Sequence, residues 1–287
     1  MIRSDKIPEK RDRREKGSME TASKRGISEA VLKNIALITM TIDHLTAFIL
    51  SEYLMNHGVY NAYNNQWYLL GRIIGRIAFV LYAFMLVEGA VHTRNRGNYA
   101  LRLLALAVIS IVPYSYVNTG QWFSMKSLNI FFLLFLGLIT IYVYDYLEKN
   151  IHPKAVSILL RLVAIALSCA IALAGKVEYG MMGILLIMVF YIFRGNFPMI
   201  VLFGLLVMSF GYMANVILAN GGADWIQRHS QNLLVSILNT DRLQIFGILA
   251  FPLIFLYDGR KGKQLPKPFY YFFYPVHLLI IGLIINL

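Results

Sequence analysis

Long apolar runs alternate with short polar segments from about residue 31 onwards. Each run holds roughly 16–25 mainly apolar residues, and about twenty are enough for an α-helix to cross the hydrocarbon core of a bilayer. The pattern therefore predicts an all-α, polytopic transmembrane bundle of about nine helices. The predicted helices are 31–55, 67–91, 99–117, 129–147, 155–174, 179–193, 197–219, 242–257 and 269–286.

Two segments depart from this pattern. Residues 1–30 are highly charged and contain no apolar run, so they predict a disordered, basic cytoplasmic tail rather than a signal peptide. Residues 31–287 are predicted to form the transmembrane domain. Within it, the segment 220–241 is apolar for only about eight residues, which is too short to cross a membrane. We expect an outer loop there, with an interfacial or re-entrant helix.

Composition agrees with this pattern and excludes a soluble globular domain. Hydrophobic residues make up 58% of the 287 residues and charged residues only 15%, and the mean hydropathy is +0.59. The net charge of +12 would suit a nucleic-acid-binding protein, but the basic residues lie mainly in the N-terminal tail and the short loops. We therefore expect membrane lipid, and no nucleic acid, as a partner.

The basic residues of the loops alternate along the chain. If the tail is cytoplasmic, the predicted inner loops are rich in lysine and arginine and the predicted outer loops are poor in them. The inner set is Arg94, Arg96, Arg102, Lys149, Lys154, Arg194, Arg260, Lys261, Lys263 and Lys267, and the outer set is Lys126, Lys176 and Arg228. The positive-inside rule thus predicts a cytoplasmic N-terminus and a multi-pass protein of the cell inner or plasma membrane.

Charged and titratable side chains interrupt the first two apolar runs. The first run contains Asp43 and His44, and the second contains Arg72 and Arg76 one helical turn apart. Placing an arginine at the centre of a bilayer costs about 2.5–3.5 kcal/mol, so such residues usually have a function. At about 1.5 Å per residue, His44 lies ~16 Å deeper than Lys33. Two antiparallel helices would then carry these groups at one level of the membrane.

Two interpretations of this cluster stay open. Asp43 paired with Arg72 or Arg76 could serve only to fix helix packing. Two arginines against one aspartate, however, leave surplus positive charge, which favours a site for an anion. Gly71 and Gly75 are predicted to form a small-residue packing face between helices rather than a phosphate loop.

Two histidines are candidate general bases. His44 follows Asp43 directly and cannot share its helix face, so we expect the group that orients His44 to come from another helix. A histidine tuned near neutral pH can deprotonate an amine or a hydroxyl. His277, two residues after Pro275 in the last run, reaches a similar depth, and a catalytic and a structural role are equally open for it.

Motifs of soluble enzymes are absent from the sequence. It contains no P-loop, no Gly-x-Ser-x-Gly elbow, no His-Glu-x-x-His and no dinucleotide-binding fingerprint. The six histidines are too dispersed to suggest a metal site, so no bound metal is expected.

Several motifs in order resemble the TraX family of membrane proteins. They are LKNIALITMTIDH, GRIIGRIAFVLYAFMLVEG, the YG-x-x-G that starts at Tyr179, LYDGRKG and YFFYPVHL, and the resemblance runs from about residue 31 to the end. The family is named for a conjugative-pilus protein associated with N-terminal acetylation of pilin. It is grouped with integral-membrane acyltransferases that include heparan-glucosaminide acetyltransferase and polysaccharide O-acetyltransferases.

The resemblance implies a site and a cofactor. Members of that superfamily commonly carry a basic residue and a histidine separated by ten residues on the first helix, as Lys33 and His44 do here. The resemblance implies that His44 is the catalytic base and that Arg72 and Arg76 help to bind the acyl donor, with acetyl-CoA entering from the cytoplasm. Asp43 and His277 complete the candidate catalytic set, and Lys33 completes the candidate donor-binding set.

The predicted function is therefore transfer of an acetyl group from acetyl-CoA to an amine or hydroxyl acceptor. A pilin-like peptide N-terminus, a sugar and a small amine are all open as acceptors. One alternative is a transporter in which the same Arg, Asp and His groups bind an organic anion. Another is a scaffold whose buried charges only set assembly. Faces rich in Gly and Ala would permit a homodimer.

Overall fold

The computed structural model describes residues 26–59, 61–228, 230 and 243–286. Most of the tail predicted for residues 1–30 lies outside the described residues. The described part of it is 26–30, of which Glu29 and Ala30 already belong to the first helix. Ile27 pairs with the chain that follows Phe255: its amide donates to the Leu256 carbonyl over 2.8 Å, and the Asp258 amide donates to the Ile27 carbonyl over 3.1 Å.

The described residues form the predicted all-α bundle, with an apolar helix in each of the nine predicted ranges. The helices are α1 (Glu29–Asn56), α2 (Gln66–His92), α3 (Arg96–Thr119), α4 (Ile130–Asn150), α5 (Lys154–Ala174), α6 (Gly180–Ile192), α7 (Phe197–Ala219), α8 (Leu243–Phe255) and α9 (Lys267–Asn286). All except α6 and α8 are long and apolar enough to cross a membrane. A short helix, Ala223–Arg228, starts the predicted outer loop, and most of the rest of that loop lies outside the described residues.

Asparagine side chains mark the starts of four helices. Asn65, Asn95, Asn129 and Asn196 precede α2, α3, α4 and α7, and each side-chain oxygen accepts a hydrogen bond from an amide of the first turn. The first amides of a helix have no partner within the helix, and apolar surroundings supply none. These caps therefore fix where the apolar runs become helical.

The predicted basic loops gather at one end of the bundle, called here the basic end. Contacts join them there: Arg194, after α6, pairs with Glu88 near the end of α2, and Arg96, at the start of α3, pairs with Asp145 near the end of α4. At the other end, called here the far end, the segment before α4 pairs with the link between α5 and α6 through Leu128 and Val177. The alternation of helix directions is as predicted. That the basic end faces the cytoplasm stays a prediction from the positive-inside rule.

Helices α1 and α2 pack closely because α2 presents glycine to α1. A Cβ atom on Gly71 would collide with Thr46, and one on Gly75 would collide with Asp43. The predicted packing face of Gly71 and Gly75 is therefore confirmed, and it brings Asp43 against the backbone of α2. Immediately after His44, α1 widens into a π-helical turn over Leu45–Leu50, a distortion that is frequent at functional sites.

Candidate active site

Asp43 pairs with both arginines of α2. Its Oδ1 accepts from Nη1 of Arg72 over 2.8 Å and from Nη2 of Arg76 over 2.7 Å, and its Oδ2 also accepts from Nη2 of Arg76 over 2.8 Å. The three side chains are 11%, 18% and 6% exposed, respectively. Buried charges require such partners, because an unpaired one would cost several kcal/mol.

A second carboxylate, Glu178, belongs to the same cluster. It lies in the link between α5 and α6, its amide donates to the Leu128 carbonyl over 2.9 Å, and it interacts electrostatically with Asp43, Arg72 and Arg76. With Glu178 ionised, two carboxylates balance two guanidinium groups. The charge count made from the sequence therefore left out one carboxylate of the cluster.

The link that carries Glu178 has an unusual backbone. Lys176 and Tyr179 adopt left-handed φ values of 46° and 62°, a conformation that costs a non-glycine residue about 1–2 kcal/mol. The Tyr179 ring stacks on Phe79 of α2, with centroids 3.9 Å apart. This contact anchors the link inside the bundle. A carboxylate between Gly175 and the Tyr-Gly motif was the available sequence signal, but the sequence reasoning did not single out Glu178.

His44 and His277 form a hydrogen-bonded pair. Nδ1 of His44 lies 2.6 Å from Nε2 of His277, and the rings are stacked with an interplanar angle of 6°. The prediction that the partner of His44 lies on another helix is confirmed, since His277 belongs to α9.

The hydrogen bonds around this pair determine which nitrogen of each neutral ring carries the proton. Nδ1 of His277 lies 2.7 Å from the Phe273 carbonyl oxygen, which can only accept, so this nitrogen carries the proton. Nε2 of His277 is then an acceptor, and Nδ1 of His44 donates to it. The Nε2 atom of His44 is left with a lone pair. That is the state a general base requires.

Two cavities meet at His44. The basic-end cavity has a volume of about 430 Å³ and extends from Lys33 and Arg102 to the centre of the bundle. The far-end cavity has a volume of about 410 Å³ and extends from the centre to Tyr68 and Asn118. Both are lined by the same five central residues: Asp43, His44, Glu178, Tyr179 and Tyr274.

The cavities separate the residues that the sequence grouped together. Lys33 lines the basic-end cavity, whereas Arg72 and Arg76 line the far-end cavity. His277 lines neither cavity and reaches the site through His44. The five candidates predicted at one level are joined by contacts, and Lys33 lies apart from them, as residue counting predicts. Lys33 and the two arginines therefore do not form one anion site.

The two cavities differ in chemistry. The wall of the basic-end cavity is mainly apolar, and its mouth carries basic groups. There Lys33 pairs with Glu29 over 2.5 Å, and Nη1 of Arg102 donates to the Tyr271 hydroxyl over 3.3 Å. Within the described ranges, Arg102 has no carboxylate partner. The far-end cavity is lined largely by phenol and amide groups, including Tyr68, Tyr114, Asn118, Tyr212, Asn215 and Gln244.

Comparisons with known proteins agree with the motifs. The chain matches the family model described as "TraX protein" over residues 28–285. It is similar to a protein of Dichelobacter nodosus described as "Probable fimbrial assembly protein FimC, serogroup H1", with 27% identity over 261 residues that cover 87% of this chain and 92% of that protein. No solved structure matches the chain. With its long apolar helices and this match over nearly its whole length, the chain is a multi-pass membrane protein that belongs to the TraX family.

Proposed function

We propose that this protein is an integral-membrane acetyltransferase that moves an acetyl group from acetyl-CoA to an amine or hydroxyl acceptor. The observation that carries the proposal is that two cavities, one from each end of the bundle, meet at a histidine whose Nε2 lone pair is free to accept a proton. Such an arrangement suits a transferase whose donor and acceptor arrive from different sides.

The basic-end cavity is the proposed donor site. Acetyl-CoA carries phosphate groups, which favour lysine and arginine at the mouth of a site. Lys33 and Arg102 occupy that mouth, and Arg102 is exposed and has no carboxylate partner among the described residues. The positive-inside rule predicts that this end faces the cytoplasm. The resemblance to the family implies that acetyl-CoA enters from the same compartment.

His44 acts as the general base and then as the general acid. Its Nε2 takes a proton from the acceptor nitrogen or oxygen while that atom forms a bond to the thioester carbonyl carbon and the carbonyl electrons move to oxygen. As the oxyanion collapses, the carbon–sulfur bond breaks with its electron pair on sulfur, and His44 returns the proton to the CoA thiolate. The products are the acetylated acceptor and free CoA.

His277 is a positioning residue in this scheme. By accepting from Nδ1 of His44, it fixes the tautomer and the ring orientation of the base. Its own Nδ1 is held by the Phe273 carbonyl, one helical turn earlier on α9.

Arg72 and Arg76 lie on the acceptor side of His44. The sequence left two roles open for them, anchoring a pyrophosphate or stabilising the oxyanion. Because both line the far-end cavity and bond Asp43, their placement favours the electrostatic role over contact with a nucleotide at the basic end.

A peptide N-terminus is the acceptor that the relatives favour. The similar protein of Dichelobacter nodosus is described as a probable fimbrial assembly protein, and the family is associated with N-terminal acetylation of pilin. Phenol and amide groups line the far-end cavity and can bind the polar backbone of a peptide end.

A transporter of an organic anion is the second candidate, since two cavities that meet at a charged centre also describe a transport path. The two functions differ in what happens to the bond between acetyl and sulfur. Chemistry at His44 would release free CoA, whereas transport would leave the anion intact.

The test uses the full-length protein in detergent, with acetyl-CoA binding followed by calorimetry and free thiol release followed with hydroxylamine as a surrogate acceptor. We expect His44→Gln to bind acetyl-CoA like wild type and to lose roughly 10²–10⁴ in turnover, the usual contribution of a general base. His57→Gln is the matched control, because His57 is exposed at the far end and lines neither cavity.

Absence of acetyl-CoA binding to folded wild-type protein would refute the acetyltransferase. Uptake of an intact organic anion into sealed vesicles that contain the protein, without thiol release, would favour the transporter.

A further inference from the structure

The hydroxyl of Tyr274 is buried at the junction of the two cavities without a hydrogen-bond acceptor for its proton. Tyr274 is 4% exposed and lines both cavities. Within the part of the chain that the structure describes, no acceptor lies within hydrogen-bond distance of its proton. A buried hydroxyl whose proton has no acceptor destabilises the folded protein. Such a group calls for an explanation, and a catalytic role is one of those that apply.

The neighbours of Tyr274 place its hydroxyl beside the proposed chemistry. Its ring packs edge-on against His44, with centroids 6.1 Å apart, and against Phe131, with centroids 5.1 Å apart. The oxygen interacts electrostatically with Glu178 and lies near the backbone amide of Ile130. An amide can only donate, so even this neighbour leaves the phenol proton without an acceptor.

One face of α9 supplies both groups that act on the centre. Tyr274 and His277 are three residues apart, so they lie on neighbouring positions of the helix surface, and their rings are 5.6 Å apart. His277 orients the proposed base, His44, while the Tyr274 hydroxyl is a hydrogen-bond donor at the junction of the two cavities. Ile130, the first residue of α4, adds the positive end of a helix dipole near this point.

On the basis of the proposed acetyltransferase function, we propose that Tyr274 is a catalytic residue whose hydroxyl donates a hydrogen bond to the thioester carbonyl oxygen as that oxygen becomes negative. No proton is transferred in this step, since the hydroxyl keeps its hydrogen throughout. The donor is oriented before the substrate arrives, so it stabilises the transition state without reorganisation.

Tyr142 provides a matched comparison. Its hydroxyl also lacks a hydrogen-bond partner within the described ranges. Its ring, however, lies under the guanidinium of Arg96, with 5.0 Å between Cζ and the ring centroid, and it lines neither cavity. Removing either hydroxyl makes the same chemical change, but only Tyr274 lies at the junction.

The kinetic test compares Tyr274→Phe with Tyr142→Phe in the full-length protein. We expect Tyr274→Phe to lower kcat with hydroxylamine by about 10²–10³, the effect of removing one oxyanion donor. Its KM for acetyl-CoA should stay within about twofold of wild type and its melting temperature should be equal or higher, because an unpartnered hydroxyl is lost. Tyr142→Phe should keep wild-type kcat. Equal kcat values for both variants would overturn the inference.

A spectroscopic test separates this inference from the proposed function. The probe is the ketone analogue of acetyl-CoA in which a methylene replaces the thioester sulfur, and the readout is its carbonyl stretching frequency when bound. A hydrogen bond from Tyr274 lowers that frequency, so Tyr274→Phe should raise it and 3-fluorotyrosine at position 274, a stronger donor, should lower it further. Tyr142→Phe should leave it unchanged.

Each outcome of the spectroscopic test is decisive. A bound analogue whose frequency is the same in wild type, Tyr274→Phe and the fluorotyrosine variant would remove Tyr274 from the mechanism and leave the donor site intact. Failure of the analogue to bind folded wild-type protein would overturn the donor site, and the role of Tyr274 with it. If Tyr274→Phe does not fold, the fluorotyrosine variant, which keeps the side chain, carries the test alone.

Discussion

Asp43 and Asp145 are each held between two lysine or arginine side chains, and the cations of the two clusters differ strongly in exposure. Asp43 pairs with Arg72 and Arg76 in the middle of the bundle, where the cations are 18% and 6% exposed. Asp145 pairs with Arg96 and Lys149 at the basic end, where the cations are 51% and 65% exposed. Distances in the two clusters are alike, from 2.6 to 2.9 Å.

The comparison shows that ion pairs of the same length can contribute very differently to stability, depending on how far their cations are buried. At the basic end, water can hydrate Arg96 and Lys149 if Asp145 is lost, so the pairs contribute little to stability. In the centre, loss of Asp43 would leave Arg72 and Arg76 buried without a hydrogen-bonded carboxylate and with only Glu178 nearby, so the cluster behaves as one unit. Charges held in this way form a fixed electrostatic environment beside His44, which is what the proposed transfer requires.

The largest expected effect follows from removing each carboxylate. Asp43→Asn should lower the free energy of unfolding by about 3–5 kcal/mol, because it removes the hydrogen-bonded carboxylate of two buried guanidinium groups and leaves only Glu178 nearby. Asp145→Asn should lower it by at most about 1 kcal/mol. The measurement is reversible denaturation in detergent micelles, with helix content as the signal. Equal losses in the two variants would contradict the distinction between the clusters.

A smaller effect is expected from filling the contact between α1 and α2. Gly75→Ala should lower the free energy of unfolding by about 1–3 kcal/mol, because the new methyl group overlaps Asp43 and must push α1 away. Gly89→Ala, on the same helix, is the matched control, since the nearest atoms to its methyl group belong to the far end of the Tyr99 side chain, which can shift, rather than to a residue of the charged cluster. If Gly75→Ala lowers the free energy of unfolding no more than Gly89→Ala does, stability does not require the close approach of α1 and α2 at Asp43.

The smallest expected effect is the response to salt. Raising the salt concentration from about 0.1 M to 1 M shortens the screening length from about 10 Å to 3 Å. The loss of stability caused by Asp145→Asn should therefore shrink by a few tenths of a kcal/mol, whereas the loss caused by Asp43→Asn should stay constant. Denaturation of wild type and both variants at the two salt concentrations measures these two losses. A salt-sensitive Asp43 cluster would mean that water reaches the centre of the bundle.

Much of the fold was predictable because it depends on local patterns. Apolar runs gave the nine helices to within a few residues at most boundaries, and asparagine caps explain several of the starts. Helix α6 has only 13 residues and is shorter than a membrane-spanning helix. Its N-terminus lies inside the bundle because the preceding link is held by Leu128 and Phe79. Those contacts come from distant parts of the chain.

The site was predictable in part. Depth along two antiparallel helices follows from residue counting, so Asp43, His44, Arg72 and Arg76 could be placed at one level. Glu178 could not, because its link enters the bundle only through contacts with other elements.

The sequence by itself determined the transmembrane helices, the gathering of basic loops at one end and the level of the charged residues. These properties depend on transfer free energies and helical rise, which act on each segment separately. Only the tertiary structure decided that His277 fixes the tautomer of His44, 233 residues away in the chain, that Tyr274 faces the same centre, and that two cavities divide Lys33 from the arginines. Hydrogen-bond direction and cavity shape depend on which helices become neighbours, and that is settled by packing among all of them.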